Sequence, residues 1–225
     1  MSKKKNQRPF IVIEALDAGG SQTQTNELVK RLKREGYKPL QLHFPQEDRA
    51  TGEFIYGKFL DVHNEFGLSR REQALIYIQD FFSRKQDIEK ALAGPKKSLV
   101  VSDRFYTSTM AYQTVGLSNL KRSNMLEWIR NLVEFSQPAL PKPTRVIFLD
   151  TPPGISLHHL RNQPKNYHEK LSKLIAFRKS YLTLAREQKW VVVNSMEKPF
   201  DKAQGKQRPI KDIHTEVWQH VKPLL

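Results

Sequence analysis

Short apolar runs alternate along the chain with stretches of helical periodicity. Runs such as FIVIE and RVIFLD are apolar at nearly every position, as a strand buried on both faces requires. Between these runs, apolar residues recur three and four positions apart, as on one face of an amphipathic helix. The pattern predicts strands at 10–14, 39–44, 98–103, 145–150 and 190–195, and helices at about 21–35, 69–92, 120–135, 166–188 and 210–221.

The order of these elements indicates an α/β protein. Strands that alternate with helices and are too apolar to face water predict a five-stranded parallel sheet covered by helices on both faces. In the helix at 69–92, the positions predicted to face the core are Ala74, Leu75, Ile78 and Phe82. No internal repeat or long linker divides the chain, so we expect one domain over 9–225, preceded by a disordered basic tail over 1–8.

Composition and charge exclude several classes of function. The chain has 225 residues and no cysteine, which excludes disulfides, thiolate zinc sites and thiol nucleophiles. No secretory signal and no apolar run of the roughly 20 residues that span a bilayer are present, so we expect a cytoplasmic protein without a membrane partner. The 38 Lys and Arg against 23 Asp and Glu give a net charge of +15, which favours anionic ligands. The basic residues are dispersed without a nucleic-acid motif, so nucleic acid is the last-ranked partner.

The stretch ALDAGGSQTQ joins the first strand to the first helix through a glycine turn. Such a turn places backbone N–H groups and the positive end of a helix at one point, which suits a phosphate group. The phosphate-loop pattern has Lys and then Ser or Thr after its last glycine, whereas Gly20 is followed here by Ser21 and Gln22. Taken alone, the stretch is equally typical of an ordinary tight turn between a strand and a helix.

Other segments extend the comparison over residues 9–195. FIVIEALDAGGSQTQ resembles, without a gap, the thymidylate kinase opening FIVIEGLDGAGKTTQ. VVSDRFYTSTMAYQ is similar to that family's VISDRYVDSSLAYQ, and LPKPTRVIFLDTPPGISLHHL is similar to PDLVIFLDVPPEVALERI. The segment LHFPQEDRATGEFI also resembles the part of the family that follows its second strand. The chain as a whole resembles the thymidylate kinases, which are P-loop nucleoside-monophosphate kinases.

This resemblance implies a fold and an activity. The fold would be the P-loop kinase three-layer sandwich, with a short lid at about 161–169. The activity would be transfer of the ATP γ-phosphoryl group to dTMP, giving dTDP, or to another deoxynucleoside monophosphate, with Mg²⁺ accompanying ATP. Thymidylate kinases are usually dimers, so the resemblance also implies a homodimer.

The resemblance further implies a role for each site residue. The catalytic group would be Asp103, Arg104 and Arg161, with Asp103 also near the metal. ATP would be bound by Ala18, Gly19, Gly20, Ser21, Gln22 and Thr23. The acceptor nucleotide would be bound by Asp17, Phe44, Tyr77, Arg84, Arg104, Ser108 and Gln113.

Each role has a structural alternative at this stage. Asp103 and Arg104 follow directly on an apolar strand, where they could bind ligand or form an ion pair at the strand end. Tyr77 could stack on a base or fill the core, and Phe44 could line a pocket or end a strand. Ser108 or its neighbour Thr107 could cap a helix, and Asp17 could bond the backbone of its own turn.

The chain departs from the family pattern where cations are expected. Ser21 and Gln22 replace the loop Lys and Thr, Phe81 replaces a helix arginine, and Glu47 replaces an arginine after Phe-Pro. Arg84, three residues after Phe81, could take the place of the helix arginine. Two explanations remain. Either this is a divergent kinase in which lid cations such as Arg161, Lys165 and Lys170 replace the lysine, or it is a catalytically weak or inactive nucleotide-binding relative.

Overall fold

One parallel sheet organises the chain. The structure is a computed structural model that describes residues 8–60, 67–160, 170–197 and 206–225. All its strand pairs are parallel, in the order β2-β3-β1-β4-β5, so the predicted five-stranded parallel sheet is confirmed. The strands are β1 (Phe10–Ala15), β2 (Lys38–His43), β3 (Ser98–Asp103), β4 (Arg145–Asp150) and β5 (Val191–Asn194).

Helices connect the strands, as the alternating pattern predicts. Among the described residues they are α1 (Ser21–Arg34), α2 (Ala50–Phe54), α3 (Arg70–Ser83), α4 (Lys85–Leu92), α5 (Tyr106–Gln113), α6 (Asn119–Arg130), α7 (Pro153–Leu160), α8 (Leu171–Glu187) and α9 (Ile210–Val221). A π-helical turn continues α2 over Ile55–Phe59 and another continues α6 over Asn131–Phe135, and a 3₁₀ turn follows α9 at Lys222–Leu224.

The two faces of the sheet carry separate cores. Along β1, Phe10 and Val12 pack into one cluster, and Ile11 and Ile13 into the other, because successive side chains of a strand point to opposite faces. Helices α1 and α9 cover the face of Ile11, whereas α3, α4, α5, α6 and α8 cover the face of Phe10. The sheet is therefore buried on both faces, which explains why its strands read as continuous apolar runs.

The predicted helix at 69–92 is two helices. It begins with a capping box in which the Glu72 amide donates to Ser69 Oγ and the Ser69 amide donates to Glu72 Oε2. It breaks at Arg84, whose φ of −108° and ψ of 3° leave the helical region. The face of α3 that packs on the sheet carries Ala74, Ile78 and Phe81, so the prediction that Leu75 is core is wrong, and Leu75 is 47% exposed.

Three short helices escaped the sequence pattern. Helix α2 lies between β2 and α3, and α5 and α7 begin just after β3 and β4; their five to eight residues are too few for a clear helical period. The predicted lid at 161–169 and residues 1–7 of the predicted tail lie outside the described residues. Across the described part of the chain, no helix combines the length and the apolar character that crossing a membrane requires.

Candidate functional site

A cleft of about 1520 Å³ opens at the carboxyl ends of β1, β2 and β3. Ligands of parallel α/β sheets bind at this edge, because the connecting loops of several strands meet there. It is lined by the predicted site residues Asp17, Ala18, Gly19, Gly20, Ser21, Gln22, Thr23, Phe44, Tyr77, Asp103, Arg104, Ser108 and Gln113. Arg84 does not line it, and Arg161 lies outside the described residues.

The glycine loop, residues 16–20, forms one end of the cleft. Ala18 and Gly20 have φ of 53° and 97°, in the left-handed region, and the Gly19 amide donates to the Leu16 carbonyl at 2.8 Å. A Cβ on Gly19 would lie 2.7 Å from that carbonyl oxygen, so this turn requires glycine. Helix α1 starts at once, with no acidic residue in its first turn and no side-chain cap. Its N-terminal amides therefore present an uncompensated positive end to the cleft.

The side chains that follow the loop carry no positive charge. Ser21, which occupies the place of the phosphate-loop lysine, is buried, whereas Gln22 and Thr23 are exposed. The next residue, Gln24, is buried and donates from Nε2 to the Ile210 carbonyl at 3.0 Å. Within the loop and the first turn of α1, anion binding therefore depends on main-chain amides.

Two side chains from the segment after β4 bond to carbonyls of the glycine loop. Thr151 Oγ1 donates to the Gly19 carbonyl at 2.9 Å, and His159 Nδ1 donates to the Ala18 carbonyl at 3.1 Å. Because each peptide plane has its carbonyl and the following N–H on opposite sides, holding the carbonyls also orients the loop amides. The loop is thus held from outside its own turn.

Arg104 marks a second end of the cleft, which meets the glycine loop at Asp17. Its φ is 63°, and its Nη2 lies 2.5 Å from Asp17 Oδ1, while its Nη1 donates to the Tyr112 hydroxyl at 3.3 Å. Its guanidinium also lies 5.7 Å from the centre of the Tyr112 ring. Burial disfavours its charge, but the nearby Tyr112 and Asp17 outweigh that effect and raise the pKa of Arg104 well above its ordinary value. Arg104 is therefore a fixed, fully charged group whose partner Asp17 lies in the same cleft.

Asp103 is held by a pair of residues that sequence comparison did not identify. Its Oδ2 lies 2.8 Å from His43 Nδ1, and His43 Nε2 lies 3.2 Å from the Tyr56 hydroxyl. Burial, together with the Glu47 carboxylate, raises the pKa of Tyr56 to about 12, so its hydroxyl stays protonated and can donate to the ring. Asp103 Oδ1 is buried and has no hydrogen-bond partner among the described residues. One carboxylate oxygen is thus fixed, and the other can accept a ligand.

A buried carboxylate lies behind Arg104. Glu14, in β1, accepts hydrogen bonds from the Thr107 hydroxyl at 2.5 Å, the Ser108 hydroxyl at 2.5 Å, the Tyr181 hydroxyl at 3.0 Å and the Phe105 amide at 3.3 Å. Burial raises the pKa of Glu14, although Arg104 and the hydroxyl donors act in the opposite direction. Thr107 and Ser108 are therefore not helix caps, which corrects that alternative: Phe105 is the N-cap, and no side chain caps it.

Aromatic residues form the wall between the two ends. Tyr77 lines the cleft, with its ring centre 5.5 Å from that of Phe59. The buried ring of Phe44 packs edge-on against Phe81 at 5.0 Å, so Phe81 completes an aromatic cluster where a family arginine was expected. Gln113 also lines the cleft, and its backbone carbonyl accepts from Arg70 Nη1 at 3.0 Å. This wall offers flat apolar surface with an amide at its edge.

The prediction that Arg84 serves the acceptor site is corrected by its position. Arg84 follows α3 as its C-cap residue, does not line the cleft, and lies 3.2 Å from Asp87 and 3.9 Å from Asp48. Of the suggested replacement cations, Lys170 is exposed and does not line the cleft, and Arg161 and Lys165 lie outside the described residues. The basic residues that do line it are His43, Arg70, Arg104, His159, Lys173 and Arg208.

Several of these residues were not among the site residues predicted from the sequence, for different reasons. Glu14 carried a visible signal, since a carboxylate within an apolar strand must find partners when it is buried. His43 could also have been identified, because it lies at the end of a predicted strand. In the sheet it is in register with Asp103. Tyr56, His159 and Lys173 reach the cleft from helices or turns whose packing no local pattern specifies.

The chain is similar to known thymidylate kinases in both sequence and fold. It is similar to a thymidylate kinase of Plasmodium falciparum, with 27% identity over 98% of this chain and 93% of that protein. It is also similar to a thymidylate kinase of Kosmotoga olearia, with 30% identity over 79% of this chain and 82% of that protein. Among solved structures, it is similar to the thymidylate kinase of Candida albicans, with a TM-score of 0.69 and 19% identity over 96% of this chain and 92% of that one.

A family model connects these similarities to the site. The model of the thymidylate kinase family matches residues 13–206, which include the glycine loop and the Asp103-Arg104 end of the cleft. The chain therefore belongs to the thymidylate kinase family.

Proposed function

We propose that this protein is an ATP-dependent dTMP kinase, with the two nucleotides bound end to end in the cleft. The observation that carries the proposal is that the amide-rich glycine loop and the charged Arg104 line one continuous cleft of about 1520 Å³. Pockets for one small molecule are typically about 300–1,000 Å³, so this space suits two substrates. The thymidylate kinase family membership supports the choice of substrates.

The donor phosphates bind at the glycine loop. Amides of Ala18 to Thr23 and the positive end of α1 supply the hydrogen bonds and charge that a triphosphate needs. The residue after the loop is Ser21, so the loop is a degenerate form of the lysine-containing pattern. The apolar Pro209, Ile210 and Ile213 continue the cleft beyond the loop and offer surface to the rest of the donor nucleotide.

The acceptor monophosphate binds at Arg104. The Arg104 guanidinium is the strongest fixed positive charge at that end and suits bidentate contact with phosphate oxygens. Asp17, which now pairs with it, can accept from a sugar hydroxyl once phosphate neutralises the arginine. Tyr77 offers a ring face to the base, and Gln113 and Ser108 offer polar groups near its edge.

The residues around Asp103 suit Mg²⁺. The orphaned Asp103 Oδ1 is a hard carboxylate oxygen in the cleft, and Mg²⁺ usually takes one or two carboxylates, with phosphates and waters filling its other positions. This agrees with the finding that no cluster of three or more metal-ligating side chains occurs within the described residues. When bound, Mg²⁺ would be held by Asp103 and would neutralise the charge that develops on the phosphates during transfer. His43 then fixes the direction of the free Asp103 oxygen.

Catalysis in this site is positioning and charge neutralisation. The chain has no cysteine that could form a covalent intermediate, and phosphoryl transfer does not require one. The glycine loop fixes the donor, and Arg104 fixes the acceptor. A lid at 161–169 carrying Arg161 remains a prediction, as do the single domain over 9–225 and the cytoplasmic location.

The second candidate function is a nucleotide-binding relative with little catalysis. It is favoured by the buried, uncharged Ser21 at the lysine position and by Phe81 in the aromatic cluster. A coupled assay of ADP release with ATP, Mg²⁺ and a panel of nucleoside monophosphates separates the two. The kinase requires turnover that depends on dTMP. Stabilisation by dTMP in a thermal melt with no turnover at saturating substrates would instead support the non-catalytic relative.

We also propose that the protein is a homodimer. Membership of the thymidylate kinase family supports this proposal, because thymidylate kinases are usually dimers. Light scattering coupled to size exclusion should give twice the chain mass of 26.3 kDa. A monomer at micromolar concentration would contradict this.

A further inference from the structure

The segment that follows β4 holds the glycine loop at two adjacent carbonyls. Thr151 bonds the Gly19 carbonyl at 2.9 Å and His159 bonds the Ala18 carbonyl at 3.1 Å. Of the two side chains, His159 also lines the cleft. It therefore joins the loop to the space that the donor phosphates occupy in the proposed function.

The bond to Ala18 determines which ring nitrogen of His159 is available to a ligand. A carbonyl oxygen only accepts, so Nδ1 must carry the hydrogen in this contact. Nε2 is left as the second polar atom of the ring. An imidazole ring with hydrogen on both nitrogens donates from both and is positively charged.

Other basic groups near the loop are less well placed for this role. Arg208 lines the cleft, but its Nη1 bonds the Asn194 carbonyl at 2.7 Å and Glu216 Oε2 at 2.6 Å. Arg104 adjoins the loop at Asp17, but it is already paired with that carboxylate and bonded to the Tyr112 hydroxyl. Lys173, in the first turn of α8, lines the cleft and is the main rival.

We propose that His159 takes over the role of the absent loop lysine, holding the loop through Nδ1 and contacting the donor phosphates through Nε2. The inference rests on the proposed function, since it requires a polyphosphate at the glycine loop. It explains how a loop with Ser21 after its last glycine can still have a side-chain cation. It also makes His159 a phosphate-binding residue that differs from its neighbour His158, which is exposed and does not line the cleft.

Calorimetric titration of the full chain with ATP and, separately, with dTMP tests the proposal. The variant His159→Asn keeps an N–H at the position of Nδ1 and removes the distal nitrogen, so it separates the loop bond from the phosphate contact. We expect ATP affinity to fall roughly ten- to hundredfold, as for loss of a hydrogen bond to a charged group. We expect dTMP affinity to stay unchanged. His159→Arg should retain ATP affinity, and the matched control His158→Asn should behave like the parent.

Several outcomes would overturn the inference. ATP affinity that survives His159→Asn but falls in His159→Ala would make His159 a loop support only. A loss with Lys173→Met, and none with His159→Asn, would assign the cation to α8. A parallel loss of dTMP affinity and melting temperature would mean general unfolding. If the parent binds ATP without help from His159, this inference alone fails, whereas a parent that binds no ATP removes the donor site of the proposed function as well.

Discussion

The two ends of the cleft are built from different parts of the polypeptide. The donor end consists of main-chain amides in the glycine loop and at the start of α1, and the side chain that follows is an uncharged serine. The acceptor end consists of side chains: Arg104 pairs with Asp17, and Asp103 pairs with His43. Behind both lies Glu14, which accepts four hydrogen bonds.

This difference accounts for the departure of the loop from the family pattern. Amide contacts persist after any substitution that preserves the backbone, so the donor end can lose its lysine and still bind an anion. At the acceptor end, Arg104 and Asp103 are each paired with another side chain, and removing one leaves a partly buried partner unsatisfied. The motif around Asp103 and Arg104 is accordingly intact, whereas the loop motif is altered.

The largest effect should come from the acceptor end. Arg104→Met removes the guanidinium that holds the acceptor phosphate, and we expect kcat/KM for dTMP to fall roughly 10²–10³-fold. The control is Arg84→Met, because that arginine pairs with Asp87 outside the cleft and should leave turnover unchanged. Initial rates at varied dTMP, with melting temperatures for both variants, check this. Equal losses in the two variants would contradict the assigned role of Arg104.

A smaller change in rate should come from restoring the donor end. The double variant Ser21→Lys with Gln22→Thr recreates the phosphate-loop pattern, and we expect turnover to rise by about tenfold or more, because a lysine adds a preorganised donor. Ser21→Met with Gln22→Thr adds similar bulk without charge, and it should give no gain. If the charged and the uncharged variants behave alike, or if both lose activity, the site has been rebuilt around other cations, with His159 as the first candidate.

Much of the fold could be predicted because its rules are local. Unbroken apolar runs specify buried parallel strands, and the five predicted strands are confirmed in one sheet. The predictions were wrong where tertiary contacts determine the orientation of a helix or the point at which it ends. Leu75 has helical core spacing, but α3 is rotated so that Ala74 and Ile78 face the sheet. Arg84 shares a predicted helix with Tyr77, yet the break between α3 and α4 turns it toward Asp87.

Only the parts of the site that lie at strand ends could be predicted from the sequence. The loop after β1 and the pair after β3 meet because parallel strands end at the same edge, and the structure brings them into one cleft. Partners from distant helices could not be predicted. Tyr181 bonds Glu14 across 167 residues, and His159 bonds Ala18 across 141, and no local pattern specifies such contacts.

Glu14→Gln should lower stability more than activity. The amide nitrogen of Gln cannot accept from the hydroxyls that bond Glu14, and an unsatisfied buried donor costs about 1–3 kcal/mol in the free energy of unfolding. Because burial raises the pKa of Glu14, the folded protein binds this proton more tightly than the unfolded chain does. The stability advantage of the parent should therefore shrink as pH rises above the ordinary value of 4.5.

Urea unfolding between pH 4.5 and 8 measures this trend. Glu27→Gln is the matched control, because Glu27 is only partly buried and the hydrogen bond from Lys30 lowers its pKa. The difference in unfolding free energy between the parent and Glu27→Gln should show a weak pH trend of opposite sign. A gap between the parent and Glu14→Gln that widens with rising pH would mean that Glu14 is ionised in the folded state without cost.

The smallest effect concerns backbone strain at the donor end. Ala18 has a φ of 53°, where a side chain costs about 1–2 kcal/mol and glycine costs little. Ala18→Gly should therefore raise stability, but by only about 1 kcal/mol or less, since glycine also gains freedom in the unfolded chain. Gly19→Ala should do the reverse, because its Cβ would lie 2.7 Å from the Leu16 carbonyl oxygen. Thermal melts and ATP titrations of both variants test whether the backbone strain at Ala18 contributes to ATP binding. Higher stability with unchanged ATP affinity would make the strain incidental, whereas higher stability with weaker ATP binding would show that Ala18 holds the loop amides ready for phosphate.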